Sequence, residues 1–206
     1  MNWTRACRRL NVCTLSLGIL LVPLAVNAHQ RKTSKRKVPP AYDDSEGYTV
    51  LSLVLSSGAK SWKNKTIAIM ALTDSEKEMT ERLDKCVEIP KEFQAAAEDF
   101  RKKAKTKLQL KDAFSLGAHV ELVGEQKDES PDSRHAPPSN SEIEERISDG
   151  IYDVSAVGFD GPKTRAIVYV NYVCGALCGG GSFHLLRKGP KGWQEEEGIR
   201  MCTWVY

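Results

Sequence analysis

The sequence predicts an α+β fold in which helices pack on one face of a curved antiparallel sheet. In the first half of the chain, apolar residues recur at three- to four-residue spacing, which is the period of an amphipathic helix. In the second half, short segments rich in Val, Ile and Tyr alternate with tight turns, which favours antiparallel strands. The chain of 206 residues is long enough for one domain with a sizeable core.

Two helices are predicted between residues 73 and 108. Residues 73–76, Thr-Asp-Ser-Glu, fit a capping box that opens a helix ending near Cys86. Pro90 suits the first position of the next helix, because the N–H that proline lacks is not needed there. The apolar positions of that second helix are Phe93, Ala97, Phe100, Ala104 and Leu108. Residues 48–55 fit either a helix or an alternating strand, so their structure stays open.

The strands are predicted from short apolar segments and the turns between them. Residues 66–72 read as a buried strand and residues 118–123 as a short one. The remaining predicted strands are 153–159, 164–174, 183–187 and 193–206. Turns at residues 160–163 and 189–192 contain Gly and Pro, which supply the backbone dihedrals that tight turns need.

The N-terminal segment has the pattern of a secretory signal. Arg5, Arg8 and Arg9 precede an apolar run from residue 12 to 26, and residues 26–28, Val-Asn-Ala, fit a cleavage site. This pattern predicts a signal peptide over residues 1–28 and a mature protein that is periplasmic or extracellular. An uncleaved membrane anchor is the alternative, although the apolar run is shorter than the ~20 residues that a spanning helix needs. If the segment is a cleaved signal peptide, the protein meets the membrane only transiently, through this signal.

Charge and composition divide the remaining chain. The signal contains three of the 30 Lys and Arg residues and none of the 27 acidic residues, so the mature chain is formally neutral. A basic, polar and flexible leader is predicted over residues 29–47, and a single domain over residues 48–206. Residues 126–141 lack large apolar side chains, which predicts a disordered loop. The domain itself is acidic, and we therefore expect no nucleic-acid partner.

A series of motifs runs through the second half in a fixed order. These are residues 157–160 (Val-Gly-Phe-Asp), 166–170 (Ala-Ile-Val-Tyr-Val), 174–181 (Cys-Gly-Ala-Leu-Cys-Gly-Gly-Gly), 185–188 (Leu-Leu-Arg-Lys) and 192–193 (Gly-Trp). This order resembles a family of uncharacterised exported bacterial proteins. The resemblance implies an exported single domain and no particular activity. The hairpin ending in Gly192 and Trp193 is also similar, more generically, to the sheet of nuclear-transport-factor-2-like domains.

Four cysteines remain after removal of the signal: Cys86, Cys174, Cys178 and Cys202. An even number in an exported protein favours disulfides. The preferred pairing joins Cys174 to Cys178 across a short bend and Cys86 to Cys202. The alternatives are free thiols, a metal site and a redox-active pair. The Cys-x3-Cys spacing differs from the Cys-x2-Cys spacing of thiol oxidoreductases.

No motif of the sequence identifies a catalytic residue, a cofactor-binding residue or a metal ligand, and no cofactor is expected. The glycines at 179–181 lack the Gly-Lys-Ser/Thr ending of a phosphate loop, which favours a bulged or wide connection. His184 alternates with Ser182, so the two side chains share one face of the predicted strand. The run Glu195-Glu196-Glu197 reads as a solvated strand or bulge.

Two classes of function remain open. The first is an exported, non-catalytic binding or envelope-associated module whose partner is a protein or a small ligand. The second is a secreted hydrolase or thiol enzyme whose site is assembled from distant residues, and we favour the first. A concave sheet face lined by His184, Tyr169 or Tyr172 and a carboxylate would support the enzyme, whereas a filled apolar face would support the binding module.

Overall fold

The computed structural model describes residues 38–57, 66–75, 77–124, 150–174, 178–197 and 204–205. The predicted signal peptide, residues 29–37 of the predicted leader and the predicted loop at 126–141 lie outside these ranges. The described residues form an α+β fold with one eight-stranded sheet. No helix among these ranges is long and apolar enough to cross a membrane.

Three α-helices and one short 3-10 helix lie among the described residues of the first half of the chain. They are α1 (Ser45–Ser57), α2 (Lys77–Cys86), the 3-10 helix (Lys91–Phe93) and α3 (Gln94–Lys103). The segment that fitted two structures, residues 48–55, is helical and belongs to α1. Pro90 precedes the 3-10 helix that leads into α3, as the missing N–H of proline allows. The predicted apolar series of the second helix is buried from Phe93 to Ala104.

The sheet combines parallel and antiparallel pairs. Its strands are β1 (Thr66–Met70), β2 (His119–Val123), β3 (Ile151–Val154), β4 (Gly158–Phe159), β5 (Arg165–Val173), β6 (Gly179–Gly189), β7 (Gly192–Glu195) and β8 (Trp204–Val205). The order is β2-β1-β3-β5-β6-β7, with β4 also paired to β5 and β8 to β6. Strand β1 runs parallel to both β2 and β3. The prediction of an antiparallel sheet is therefore confirmed only in part, because the helical connections after β1 allow parallel neighbours.

The core has two clusters, and they use alternate residues of the central strand β5. Ala166, Val168 and Val170 pack with the apolar residues of α1. Ile167 and Tyr169 pack with the apolar residues of α2 and α3. Because successive residues of a strand point to opposite faces, the two clusters lie on opposite faces of the sheet. The predicted packing of the helices on one face is not confirmed.

The folded region begins earlier than the predicted boundary at residue 47. Tyr42 is only 3% exposed, and Ala41 forms a bridge with Gln109. The hydroxyl of Tyr42 accepts a hydrogen bond from the backbone N–H of Val157 at 3.3 Å. Burial raises the pKa of this phenol above its ordinary value. Residues 38–47 thus belong to the domain, because one aromatic side chain anchors a segment that reads as polar.

Thr73, the first residue of the predicted capping box, does not cap α2, and Glu76 lies outside the described residues. The side chain of Thr73 is buried, and its Oγ1 accepts the backbone N–H of Leu108 at 3.0 Å. Asp74 forms a bridge with Ser155, and its N–H donates to the carbonyl of Val154 at 2.8 Å. These residues extend the sheet, and the helix begins at Lys77. These hydrogen bonds to segments distant in sequence replace the local bonds that a helix N-terminus at Thr73 would need.

Three predicted strands have different limits in the structure. The segment at 153–159 divides into β3 and β4, because one extra residue opposite β5 produces a bulge at Ser155. The hydroxyl of Ser155 accepts the N–H of Tyr169 at 2.9 Å across this bulge. The strand predicted at 183–187 extends over Gly179–Gly189 as β6, and the last predicted strand divides into β7 and β8. Residues 179–181 are therefore part of a paired strand rather than a wide connection.

Candidate functional sites

The predicted disulfide between Cys174 and Cys178 is present. Their Cα atoms lie 5.0 Å apart, and the N–H of Cys174 donates to the carbonyl of Cys178 at 3.0 Å. The bond joins the end of β5 to the start of β6. The second predicted pairing, Cys86 with Cys202, involves a residue that lies outside the described ranges.

The three glycines after this disulfide are paired residues of β6. Gly179, Gly180 and Gly181 pair with β5, and the last two also pair with β8. A strand in this position has its backbone groups engaged in the ladder, so it offers no cradle of free N–H groups for a phosphate.

A chain of hydrogen bonds links Ser182, His184 and Glu195 on the edge of the β6–β7 hairpin. The hydroxyl of Ser182 lies 2.8 Å from Nε2 of His184. The other ring nitrogen, Nδ1, hydrogen-bonds to Oε1 of Glu195. The side chains of His184 and Glu195 are 17% and 38% exposed, so solvent reaches the network at the carboxylate end.

Strand alternation and hairpin register explain why these three side chains meet. Ser182 and His184 are two residues apart on β6 and share one face. In the β6–β7 pairing, Glu195 lies opposite Leu186 and is thus diagonal to His184 on that same face. The register follows from the tight turn, because Gly189 pairs with Gly192 across two residues.

The electrostatics of this network favour a carboxylate beside the imidazole. The hydrogen bond from His184 holds the pKa of Glu195 below its ordinary value, against the opposing effect of burial. When Nδ1 of a neutral imidazole donates a hydrogen bond to the carboxylate, Nε2 is unprotonated. Nε2 then accepts a hydrogen bond from the hydroxyl group of Ser182. The arrangement can therefore draw a proton away from the serine oxygen.

Sequence reasoning identified two of these three residues as neighbours and missed the third. The alternation of Ser182 with His184 was apparent, whereas Glu195 was assigned to a solvated acidic run. The usable signal was the two-residue turn between β6 and β7. Its length sets the register of the hairpin and so indicates which glutamate of the run reaches His184.

A small polar pocket of about 200 Å³ lies on the opposite face of the sheet. Its lining comes from the segment before α2, from α2 and from strands β3 and β5: Asp74, Glu78, Met79, Arg82, Asp153, Tyr169 and Asn171. The side-chain oxygen of Asn171, Oδ1, is buried and has no hydrogen-bond partner among the described residues. Because a buried amide oxygen without a partner is destabilising, a donor that reached this atom would gain a favourable hydrogen bond.

The carboxylates near this pocket do not form a metal site with the described residues. No group of three or more His, Cys, Asp and Glu side chains within the described ranges could hold a metal ion. The pocket lining carries three carboxylates and one guanidinium, so its formal charge is negative. That charge and the acceptor oxygen of Asn171 both favour a positively charged donor.

A third polar cluster joins α1 to the β6–β7 hairpin. Oε1 of Glu46 accepts hydrogen bonds from Lys188 Nζ at 2.6 Å and from Trp193 Nε1 at 2.5 Å. These two hydrogen bonds, the one from Lys188 first, hold the pKa of Glu46 below its ordinary value. The indole of Trp193 is buried against the ring of Phe159, with 5.7 Å between the ring centroids. We interpret this cluster as structural, because its carboxylate, ammonium and indole N–H groups already hydrogen-bond to one another.

Comparison of the chain with protein-family models, with curated proteins and with solved structures found no match. The resemblances to an exported bacterial family and to nuclear-transport-factor-2-like domains therefore stay predictions from the sequence.

Proposed function

We propose that the chain is an exported binding module for a small ligand, or a side chain of a partner protein, that carries an ammonium or guanidinium group. The observation that carries this proposal is that Asn171 lines a pocket with an excess of carboxylates, while its buried side-chain oxygen has no hydrogen-bond partner among the described residues. A cationic donor supplies a hydrogen bond to this oxygen and an attraction to the carboxylates at once.

The size of the pocket limits the ligand. Drug-sized molecules occupy pockets of roughly 300–1,000 Å³, and this one measures about 200 Å³. A single amino-acid side chain or a short polyamine segment fits such a space, whereas a large cofactor does not. The dissociation constant for an isolated small amine is expected to be about 1 mM, which corresponds to roughly 4 kcal/mol of binding free energy.

A titration followed by nuclear magnetic resonance tests this proposal. Arginine amide and cadaverine are the cationic probes, and glycerol and acetate are the neutral and anionic comparators. The expected result is a saturable shift of the Asn171 side-chain amide signals with the cationic probes alone. A shift of equal size with acetate, or no saturable shift with any probe up to about twenty times the expected dissociation constant, would contradict the proposal.

Two substitutions and one control connect the binding to this pocket. Asn171→Ala removes the acceptor oxygen, and Asp153→Asn removes one negative charge, so both are expected to weaken binding of arginine amide. Asp112→Asn removes the same charge at an exposed position and is expected to leave the affinity unchanged. Equal weakening by all three variants would mean that overall charge, not the pocket, attracts the ligand.

Export is the second part of the proposal. It is supported by the basic start and apolar run of residues 1–28 and by the Cys174–Cys178 disulfide, since structural disulfides persist in oxidising compartments. The expected mature protein begins at His29, which N-terminal sequencing of the secreted or periplasmic protein determines. A mature chain that still begins with Met1 would favour the membrane-anchor alternative.

The resemblance to an exported bacterial family agrees with this proposal. The motifs that carry it lie in strands β4, β5, β6 and β7, which include the central pairs of the sheet.

A further inference from the structure

We propose that Ser182 is a nucleophile toward carboxylic esters, with His184 as its general base and Glu195 as the residue that positions the imidazole. This activity is separate from the binding pocket, because the pocket lies on the opposite face of the sheet. The basis is the continuous hydrogen-bonded order of hydroxyl, imidazole and carboxylate. A weak hydroxyl nucleophile, a base within hydrogen-bond reach and a third group that orients the base are the three parts that activate a serine.

The geometry of the three side chains suits proton transfer. The 2.8 Å separation of Ser182 Oγ and His184 Nε2 lies within the range for general-base catalysis. The carboxylate of Glu195 holds the opposite ring nitrogen, which selects the tautomer with a free Nε2 lone pair. All three residues lie on paired strands of one hairpin, so the sheet fixes their backbone positions.

The position beside Ser182 on its face of β6 is a glycine. Gly180 lies two residues before Ser182 on the same face and contributes no side chain there. Tyr172 pairs with Gly180 across the strands, and its ring packs against Tyr152 with 4.8 Å between centroids. That ring reaches toward β3 and lies close to Gly150. The proposal therefore places the acyl group of the ester at Gly180, where β6 itself contributes no side chain.

The proposed reaction has two balanced steps. Ser182 Oγ attacks the ester carbonyl carbon while His184 Nε2 takes the hydroxyl proton. The carbon–oxygen bond to the leaving alcohol then breaks, and His184 returns the proton to that alcohol. In the second step water attacks the acyl-serine, His184 takes a proton from the water, and the serine leaves with that proton as a carboxylic acid is released. Water is the only co-reactant.

A fluorophosphonate probe tests the nucleophile directly. The serine oxygen forms a bond to phosphorus, the phosphorus–fluorine bond breaks, and fluoride leaves together with the serine proton. Intact-protein mass spectrometry of the full mature chain is expected to show one adduct, and peptide mapping is expected to place it on Ser182. The same preparation is expected to hydrolyse 4-nitrophenyl butyrate with turnover. Absence of an adduct on the wild-type chain, or an adduct on another residue, would overturn the proposal.

Variants separate the proposed chemistry from general reactivity. Ser182→Ala should abolish the adduct, and His184→Gln should slow labelling by about 100-fold or more. The control Ser56→Ala removes a serine of α1 whose hydroxyl bonds to the carbonyl of Ser52, and it should label at the wild-type rate. Circular dichroism identifies a variant that fails to fold. Such a variant is set aside, and the labelling of the wild-type chain then tests the proposal by itself. An unchanged rate in folded His184→Gln would contradict the role of the base.

The positioning role of Glu195 has its own signature. A histidine Nδ1–H bonded to a carboxylate gives a strongly downfield proton resonance. This resonance is expected in the wild-type spectrum and should disappear in Glu195→Gln, together with a labelling rate reduced by at least about tenfold. If Glu195→Gln lost labelling but kept the downfield resonance, Glu195 would act in another way, and this part of the proposal would be overturned.

Discussion

Replacing Gly158 with alanine is expected to destabilise the domain by forcing α3 away from the sheet. A Cβ at this position would lie 2.5 Å from three atoms of α3: the carbonyl oxygen of Ala96 and the backbone nitrogen and Cβ of Phe100. Ordinary van der Waals contact begins at 3.4 Å, so the helix would have to move by about 1 Å. None of the three atoms can rotate aside, because each is fixed by the helix backbone.

The expected cost follows from the general penalty for overpacking. Extra methyl groups in a packed core cost typically about 1–3 kcal/mol, and rigid backbone neighbours place Gly158→Ala near the upper value. For a domain of this size, a loss of about 3 kcal/mol lowers the melting temperature by roughly 6–12 °C. Urea unfolding followed by circular dichroism measures the free energy, and a thermal scan measures the temperature.

Gly161→Ala is the matched control for this substitution. An added Cβ at Gly161 meets no atom within 4 Å, and the residue lies in the turn after β4. The same glycine-to-alanine change should be neutral or slightly stabilising there, since alanine restricts the unfolded chain. If Gly158→Ala lost less than about 0.5 kcal/mol, like an ordinary surface substitution, the close packing of β4 against α3 would be refuted.

Three further outcomes are expected. Trp193→Ala should cost about 3–5 kcal/mol, because the indole is only 7% exposed, and a loss below about 1 kcal/mol in urea would place the core elsewhere. The double variant Cys174→Ser, Cys178→Ser should still fold, and its free energy of unfolding should be lower by about 2 kcal/mol or less. Alkylation of both cysteines in the native wild-type protein would show that they are free thiols and would exclude the disulfide. The stability contributed by Glu46 should be complete above its ordinary pKa of 4.5 and disappear as the pH falls through its lowered folded-state pKa. Glu46→Gln, which also weakens the bond from Lys188, should flatten this part of the pH–stability profile, and an unchanged profile would contradict the assignment.

Local signals in the sequence predicted the two helices after residue 73, the turns and the disulfide, whereas residues 48–55 of α1 fitted either a helix or a strand. The spacing of Phe93, Ala97 and Phe100 predicted one buried helical face, because the period of an α-helix depends only on neighbouring residues. Glycine and proline predicted the turns at 160–163 and 189–192 for the same reason. Cys174 and Cys178 are four residues apart, and a short bend brings them within bonding distance whatever the rest of the fold does.

The tertiary structure decided how these elements combine. The parallel position of β1, the division of the helices between two faces and the bridge formed by Asp74 depend on contacts between segments far apart in the chain. The pocket likewise gathers side chains from α2, β3 and β5, and no sequence spacing relates them. Hydrophobic burial is non-directional, so an apolar stripe shows that a helix must be covered but not which face of the sheet covers it. That choice, and with it the surroundings of Asn171, follows only from packing the whole chain.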